Sequence, residues 1–491
     1  MSAKFLAFDL GAESGRAVLG ELANEKIQLT ELCRFLNKPR EVDGHWHWTT
    51  AEFFKAMTDG LAKAGKAHPG LLSLGCDTWG VDYVTLGDDD RMIEEPWCYR
   101  DSRTDGMMEK AFGKVSKAEI YEETGIQFMS LNTLYQLFAA SSGFGPDWAK
   151  VKTVLLMADY FHYLFSGRKV AEVSLASTTQ AYNPRTRKWA EKLLKAAGVP
   201  GRVMPEIVPA GARLGSIQPA MAKQYGVSEK IQVVTPCSHD TGSAVAAVPA
   251  SGSGRWAYLS CGTWSLLGVE LPEPMINERS LAAGFTNEAG FGNTIRFLKN
   301  IVGLWILQEC RRHWEKQGEV LDYAQLTRMA GEARPFAALI NPADERFNKA
   351  GEMPGRIDAF CRESGQTPPQ TKGEYARCIL ESLALEYRRV VEVLEGLVGY
   401  SIETLHLVGG GSKNRLLCQF TADALGCPVV SGPDEATALG NCLIQAQCLG
   451  QVRDLAHIRQ IVRNSVPLGQ FVPEQVDAWK KQYGKFRGLA G

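Results

Sequence analysis

No stretch of this sequence approaches the roughly 18 consecutive apolar residues that a membrane-spanning helix requires, which excludes a helical span. A surplus of charge is missing as well. The chain holds 54 Lys and Arg against 55 Asp and Glu, a formal net charge of -1. Without a basic balance, neither nucleic acid nor an anionic membrane is expected as a partner. A small anion stays open, because backbone N–H groups bind phosphate without any lysine. No Walker loop, no HExxH and no CxxC spacing occurs, so neither a P-loop nor a structural zinc site is expected. Twelve cysteines in 491 residues are too dilute for a disulfide scaffold. Most lie in apolar segments, such as Cys427 in ALGCPVV and Cys442 and Cys448 in NCLIQAQCLG, and read as small buried hydrophobes. Cys361 and Cys378 differ in flanking a polar loop, RESGQTPPQTKGEY. In the opening MSAKFLAFDLGAESGR, Asp9 interrupts the apolar run before the core of a signal peptide forms, so a soluble cytoplasmic protein is expected.

What is present reads as a large α/β protein. The length exceeds what one core usually supports, and two domains are expected, 1–250 and 251–480, with SGSG at Ser251–Gly254 as the boundary. KFLAFDL and ESGRAVLGEL read as a hairpin rather than the strand-to-helix step of a dinucleotide fold. FFKAMTDGLAKAG reads as a helix and LLSLGCDTWGVDYVTL as strand, turn, strand. RWAYLSCGTWSLLGVE repeats the strand–turn–strand pattern. In RFLKNIVGLWILQECRRHWEKQG, Leu298, Ile301, Val302, Trp305, Ile306 and Cys310 recur at steps of one, three and four, predicting one packed helix. CILESLALEYRRVVEVLEGLVGY has the clearest helical face, with Leu383, Tyr387, Val390, Val391 and Leu394 together. HWHWTT reads as hairpin aromatics rather than a metal site.

DLGAESGR, LSCGTWSL and LVGGGSKN each place a small, N–H-rich turn directly after an apolar strand. One such turn is only a tight turn. Three in one chain suggest a nucleotide held by backbone donors. Amides supply neither a general base nor a cation ligand, and those roles need carboxylates. Asp9 in DLG and Asp240 in SHDTG each follow an apolar run and precede a small residue. Asp9 would hold a cation beside the first turn. Asp240 is either a base facing a substrate hydroxyl or the N-cap of the helix SAVAAV. Asp77 and Asp82 bracket Trp79 in CDTWGVDY, either as the polar and stacking wall of a sugar site or as a hairpin with a capping aspartate.

FDLGAESGR, GCDTWGVDY, YRDSRT, SHDTGSAV, YLSCGTWSLLGVE, TNEAGFGNTIRFLKNIVGLWILQE, LVGGGSKN and DEATALGN together resemble the FGGY carbohydrate kinases, in order and over nearly the whole chain. The resemblance implies an α/β, two-domain actin-like ATPase (ribonuclease H-like) fold with the active site in the interdomain cleft. It implies ATP and Mg2+ as cofactors and a small ketose as substrate. The likeness is strongest to members that phosphorylate L-rhamnulose at the C1 hydroxyl. The alternatives are a kinase of another ketose, such as fuculose or xylulose, or a non-catalytic regulator that binds ATP and sugar. Small molecules are the implied partners, with a monomer or simple homo-oligomer.

Carried over residue by residue, the resemblance places the first phosphate loop at Ala12, Glu13, Ser14, Gly15 and Arg16. Glu13 stands where a small polar residue is usual, and its carboxylate is expected to point away from the phosphates. Asp240 matches the catalytic base, with Gly80, His239 and Thr241 lining the same sugar site. Thr263 matches a phosphate contact, Asn300 and Gln308 match nucleotide contacts eight apart on one helix, and Gly411 matches the glycine beside adenosine. Asp9 matches the aspartate associated with magnesium. Cys361 and Cys378 match a pair that can form a disulfide in the family, unexpected in a reducing cytosol.

Overall fold

Two largely buried runs on either side of a Gly-Ala-Glu turn form a hairpin, Ala3–Leu10 against Ser14–Ala23. The computed structural model describes residues 2–252 and 254–489, so Ser253 of the expected SGSG boundary lies outside the described residues. A third strand, Lys26–Leu36, extends the hairpin antiparallel. On the other side Leu71–Thr78 lies parallel to Ala3–Leu10, followed by Gln232–Val234, also parallel, and Arg213–Ser216, antiparallel. The helices Thr50–Ala67 and Met157–Ser166 cover this sheet with Phe53, Met57, Leu61, Phe161 and Phe165, all buried. Full burial of one such side chain stabilises by about 1.5–3 kcal/mol. Ala436–Cys448 packs on Ala3–Leu10 and on the short helix Asp240–Ala246. Gly440 permits that crossing, since a Cβ there would collide with the Ser243 carbonyl oxygen. These elements belong to a first compact unit, residues 1–247, 270–297 and 436–465.

The second unit comprises residues 248–269, 298–435 and 466–491. It reuses the same local plan. Trp256–Cys261 and Trp264–Leu271 form an antiparallel hairpin, and Thr404–Val408 and then Val429–Ser431 add in parallel beside the first strand. Gly469–Phe471 closes that edge antiparallel. The long helix Lys372–Val398 begins at a capping box of Thr371 and Glu374 and ends at Gly399, whose φ of 81 is a left-handed value suited to glycine. Its face carries buried Leu383, Tyr387, Val390, Val391 and Leu394, as the periodicity predicts.

The segment expected as one helix from 298 to 310 is instead a strand, Ile295–Val302, a turn at Gly303 and a helix, Trp305–Lys316. The apolar run 301–302 falls where strand and helix patterns coincide, and the turn at Gly303 separates the two periods. The strands in LLSLGCDTWGVDYVTL also part company. Tyr83–Leu86 pairs with Thr153–Leu156 rather than returning along Leu71–Thr78. Among the described residues no helix is long and apolar enough to cross a membrane.

Candidate active site

Parallel pairing brings three chain segments of the first unit to one sheet end. Thr78 N–H donates to Ser238 O at 2.9 Å, and Trp79 N–H donates to Leu10 O at 3.2 Å. Asp9, Asp77 and Asp240 therefore end neighbouring segments. Asp9 and Asp77 are register partners on adjacent strands. Across the hairpin Asp9 pairs with Arg16, whose Nε and Nη2 both donate to Asp9 Oδ2, at 3.0 and 2.7 Å. Oδ1 of Asp9 has no protein partner among the described residues, and the residue keeps 8 % of its surface. The phosphate-loop candidates form the turn itself. Gly11 N–H closes onto Ser14 O at 3.0 Å, Ala12 and Ser14 are half-buried, Gly15 is buried and the Glu13 side chain is exposed.

Asp240 opens the helix Asp240–Ala246, with His239 in the N-cap position. Capping in the expected sense is thus not its role. One oxygen, Oδ1, accepts the Thr241 N–H at 2.6 Å and the Thr241 hydroxyl at 3.2 Å. The other, Oδ2, has no protein partner among the described residues, and the side chain is 27% exposed. Burial and the Asp9 charge push its pKa above the ordinary carboxylate value, against the opposing pull of His239 and Thr241. Asp77 is different. It is fully buried, accepts a bond from Asn441 Nδ2 at 2.7 Å, and leaves Oδ1 without a hydrogen-bond partner among the described residues. Burial first, then the Asp9 charge, pushes its pKa well up.

The backbone before Asp240 is held by groups that the sequence alone does not flag. Buried Glu172 accepts Ser238 N–H at 2.9 Å, and Ser174 Oγ accepts His239 N–H at 3.1 Å. Gly80 is half-buried, preceding Val81 with a φ of 71, rare for a β-branched residue. Asp82 N–H donates to Gly80 O at 3.0 Å and fastens this tight turn.

The expectation that Asp77, Trp79 and Asp82 wall a sugar site is corrected by their burial. Asp82 is wholly enclosed and accepts from Trp48 Nε1 at 2.6 Å, Trp79 Nε1 at 2.9 Å and Gln136 Nε2 at 3.0 Å. Burial outweighs these donors and raises its pKa to about 6. Its work is structural, orienting two indoles beneath the Gly80 turn. His45 and His47 of HWHWTT pack on Trp97, as hairpin aromatics.

In the second unit, half-buried Thr263 sits in the hairpin turn, and its carbonyl accepts Gly303 N–H at 3.1 Å and Trp305 N–H at 3.2 Å. That clasp joins the turn to the start of Trp305–Lys316. Asn300 is on the strand Ile295–Val302, whereas Gln308 is on the helix, so the expected shared helical face is corrected. Gln308 Oε1 is a buried acceptor with no partner among the described residues. Gly411 lies in the turn after Thr404–Val408, where a Cβ would come within 2.7 Å of the Cys261 Cβ. Cys361 and Cys378 are buried free thiols.

The fold has solved counterparts. A ligand-bound xylulose kinase from Lactobacillus acidophilus superposes with a TM-score of 0.82 at 15% identity, covering 99% of this chain and 97% of that one. The architecture is the α/β actin-like ATPase fold in two domains. Two family models then match in sequence, the N-terminal domain of FGGY carbohydrate kinases over residues 4–247 and the C-terminal domain over 257–448. A rhamnulokinase from Bacteroides thetaiotaomicron is 42% identical over 487 residues, 99% of each chain. One from Oceanobacillus iheyensis is 39% identical over 464 residues, 94% of this chain and 97% of the other. The chain belongs to the FGGY family of carbohydrate kinases.

Proposed function

We propose that this chain transfers the γ-phosphoryl group of ATP to the C1 hydroxyl of L-rhamnulose, giving L-rhamnulose 1-phosphate and ADP in L-rhamnose catabolism. The observation that carries the chemistry is the geometry of Asp240. One carboxylate oxygen is anchored by Thr241 and the other is uncommitted at the mouth of a helix. A carboxylate held this way accepts the hydroxyl proton as the oxygen attacks phosphorus in line. Thr241 fixes the base, while His239 and the Gly80 turn supply polar contacts for the sugar. The choice of L-rhamnulose rests on full-length similarity to the two rhamnulokinases.

The nucleotide contacts are assigned to Ala12, Glu13, Ser14, Gly15 and Arg16 in residues 1–250, and to Thr263, Asn300, Gln308 and Gly411 in 251–480. The amide donors of each turn are of the kind that offsets phosphate charge. Glu13 acts through its backbone, and Arg16 acts through Asp9, to which its guanidinium is bonded. Magnesium is usually held by one or two carboxylates together with substrate phosphates. The residues fit that pattern, since both Arg16 bonds fall on Asp9 Oδ2 and leave Oδ1 without a protein partner among the described residues. Asp9 would hold the ion directly or through water, and the ion would neutralise charge on the transferred group. Cys361 and Cys378 are proposed to bond under oxidising conditions without serving catalysis. A cytoplasmic protein, acting on small molecules as a monomer or simple homo-oligomer without nucleic acid or membrane, completes the reading.

The test is coupled ATP turnover across a ketose panel, with product identification. L-rhamnulose should give the highest kcat/KM and a C1 phosphate. A site built to bond each hydroxyl rejects epimers by leaving polar groups unpaired. If xylulose or fuculose exceeded it about tenfold, worth about 1.4 kcal/mol in the transition state, the substrate assignment would fail while the kinase survived. No sugar-dependent turnover would leave the non-catalytic reading.

A further inference from the structure

Behind His239 lies a buried ion pair that the phosphoryl-transfer reading does not use. Arg296, on the strand Ile295–Val302, is wholly buried. Its Nε donates to Ala289 O at 3.0 Å, and its Nη2 lies 3.1 Å from His239 Nδ1 in hydrogen-bonding geometry. Glu288 Oε2 sits 3.1 Å from the same Nη2 and 3.3 Å from His239 Nδ1. On the far side of the ring, His239 Nε2 is 3.6 Å from Asp240 Oδ1.

These contacts make opposite demands on the imidazole. A guanidinium only donates and is always charged, so the Arg296 contact requires Nδ1 to accept. An ionised Glu288 only accepts, so its contact would require Nδ1 to carry the proton. Alignment decides between them. Glu288 Oε2 has no aligned hydrogen-bond donor, so its contacts are ion-pair contacts, whereas the Arg296 contact is aligned. Glu288 then serves as counter-ion, since a buried guanidinium without one would be strongly destabilising. With Nδ1 accepting, the neutral ring carries its proton on Nε2.

We propose that Arg296, with Glu288 as counter-ion, is a positioning residue that fixes His239 as the neutral Nε2–H tautomer, so that the ring presents a donor beside Asp240. The proposal rests on Asp240 being the base. A ring in this state cannot compete for the hydroxyl proton through Nε2. Asp240 is left as the acceptor, and the His239 Nε2–H, 3.6 Å from Asp240 Oδ1, is left to donate to a sugar oxygen. The charged groups facing the ring are Asp240 at Nε2 and Glu288 and Arg296 at Nδ1.

The test is long-range proton–nitrogen NMR on the full chain labelled at histidine, with the His239 signals identified by their loss in His239→Gln. The expected spectrum at neutral pH has a protonated Nε2 and an unprotonated Nδ1. A proton on Nδ1, or on both nitrogens, would overturn the proposal. Arg296→Met should mix the tautomers and lower kcat by up to about 10²-fold, with KM for ATP unchanged. Arg296→Lys, which keeps a cationic donor, should recover most of both. A kcat loss in folded Arg296→Met with the wild-type tautomer intact would also overturn it. Should that variant fail to fold, the wild-type and Arg296→Lys spectra still decide. The base itself is tested separately by turnover of Asp240→Asn, so a normal His239 spectrum with a fully active Asp240→Asn would sink the base and spare the tautomer.

Discussion

The two hairpins share a plan and differ in charge. In the first unit the turn after Ala3–Leu10 is flanked by Asp9 and Arg16, bonded to each other across the ladder. In the second unit the turn after Trp256–Cys261 holds Gly262 and Thr263, and its carbonyls accept from Gly303, Leu304 and Trp305. The first turn offers a carboxylate with one oxygen uncommitted. The second offers a hydroxyl and backbone. Parallel strands beside each hairpin repeat the contrast, with Asp77 and Asp240 ending segments in the first unit and the Gly409–Gly411 turn following Thr404–Val408 in the second. The same backbone solution thus ends in two kinds of group: titratable side chains where the strand ends are acidic, and small residues that permit close approach where they are glycine-rich. Removing charge should stop turnover in the first unit, and adding bulk should loosen nucleotide binding in the second.

The sharpest way to break that contrast is Asp240→Asn. Asparagine nearly preserves shape and still accepts the Thr241 N–H, but it cannot take a proton as a carboxylate does. Turnover is expected to fall by about 10²–10⁴-fold, with calorimetric affinities for sugar and nucleotide retained. The wild-type kcat/KM should fall as pH drops, because the protonated acid cannot accept. Burial raises this pKa, so the inflection should lie above the usual value of about 4. Wild-type turnover in a folded Asp240→Asn would end the assignment. Asp9→Asn comes next, expected to cost about 10–100-fold as other changes around a metal do. Its defect should shrink as Mg2+ is raised, while that of Asp240→Asn should not. Equal indifference to Mg2+ would leave Asp9 as a partner for Arg16 and nothing more.

In the second unit the informative change is Gly411→Ala. The added methyl meets Cys261 Cβ within 2.7 Å and its sulfur closer still. Overpacking of this kind costs about 1–3 kcal/mol, and here it displaces the turn assigned to the nucleotide. KM for ATP should rise with the sugar KM unchanged, and Cys261→Ala in the same chain should restore part of the loss. A rise confined to the sugar KM would contradict the division of labour.

The hairpins were legible because apolar runs stop at glycine-rich turns, and the long helix because its face repeats over many turns. Asp240 was legible as a carboxylate after a strand, although its place as first helical residue rather than cap needed the backbone. Other features depend on distant pairing. The bond between Asp9 and Arg16 exists only because of the hairpin register. Asp82 looks like a sugar ligand in CDTWGVDY, yet Trp48 and Gln136 from distant segments enclose it together with neighbouring Trp79. Glu172, Glu288 and Arg296 reach the Ser238–His239 segment only through contacts distant in sequence, which no local pattern reveals. Asn300 and Gln308 were placed on one helix because a short apolar run satisfies both periods.

The smallest expected effect concerns the two cysteines, which lie far in sequence from either turn. Cys361 is on the helix Met353–Glu363 and Cys378 on Lys372–Val398, and both thiols are buried and free. Burial pushes Cys361 up to about 11 and Cys378 well above its ordinary value. The thiolate is the reactive form, so oxidation near neutral pH should be slow. A bond formed under sustained oxidant would close a short loop and restrict the unfolded chain, worth about 3 kcal/mol in the entropic account. Neither residue touches the groups assigned to catalysis. Cys361→Ala, which keeps a small apolar side chain, should therefore leave kcat and both KM values unchanged and abolish any rise in melting temperature on oxidation. Thiol counting and peptide mapping on the same preparations establish whether the bond formed. If both thiols stay free after prolonged oxidation the bond is ruled out, and if reduction alone removes turnover the pair belongs to the catalytic design after all.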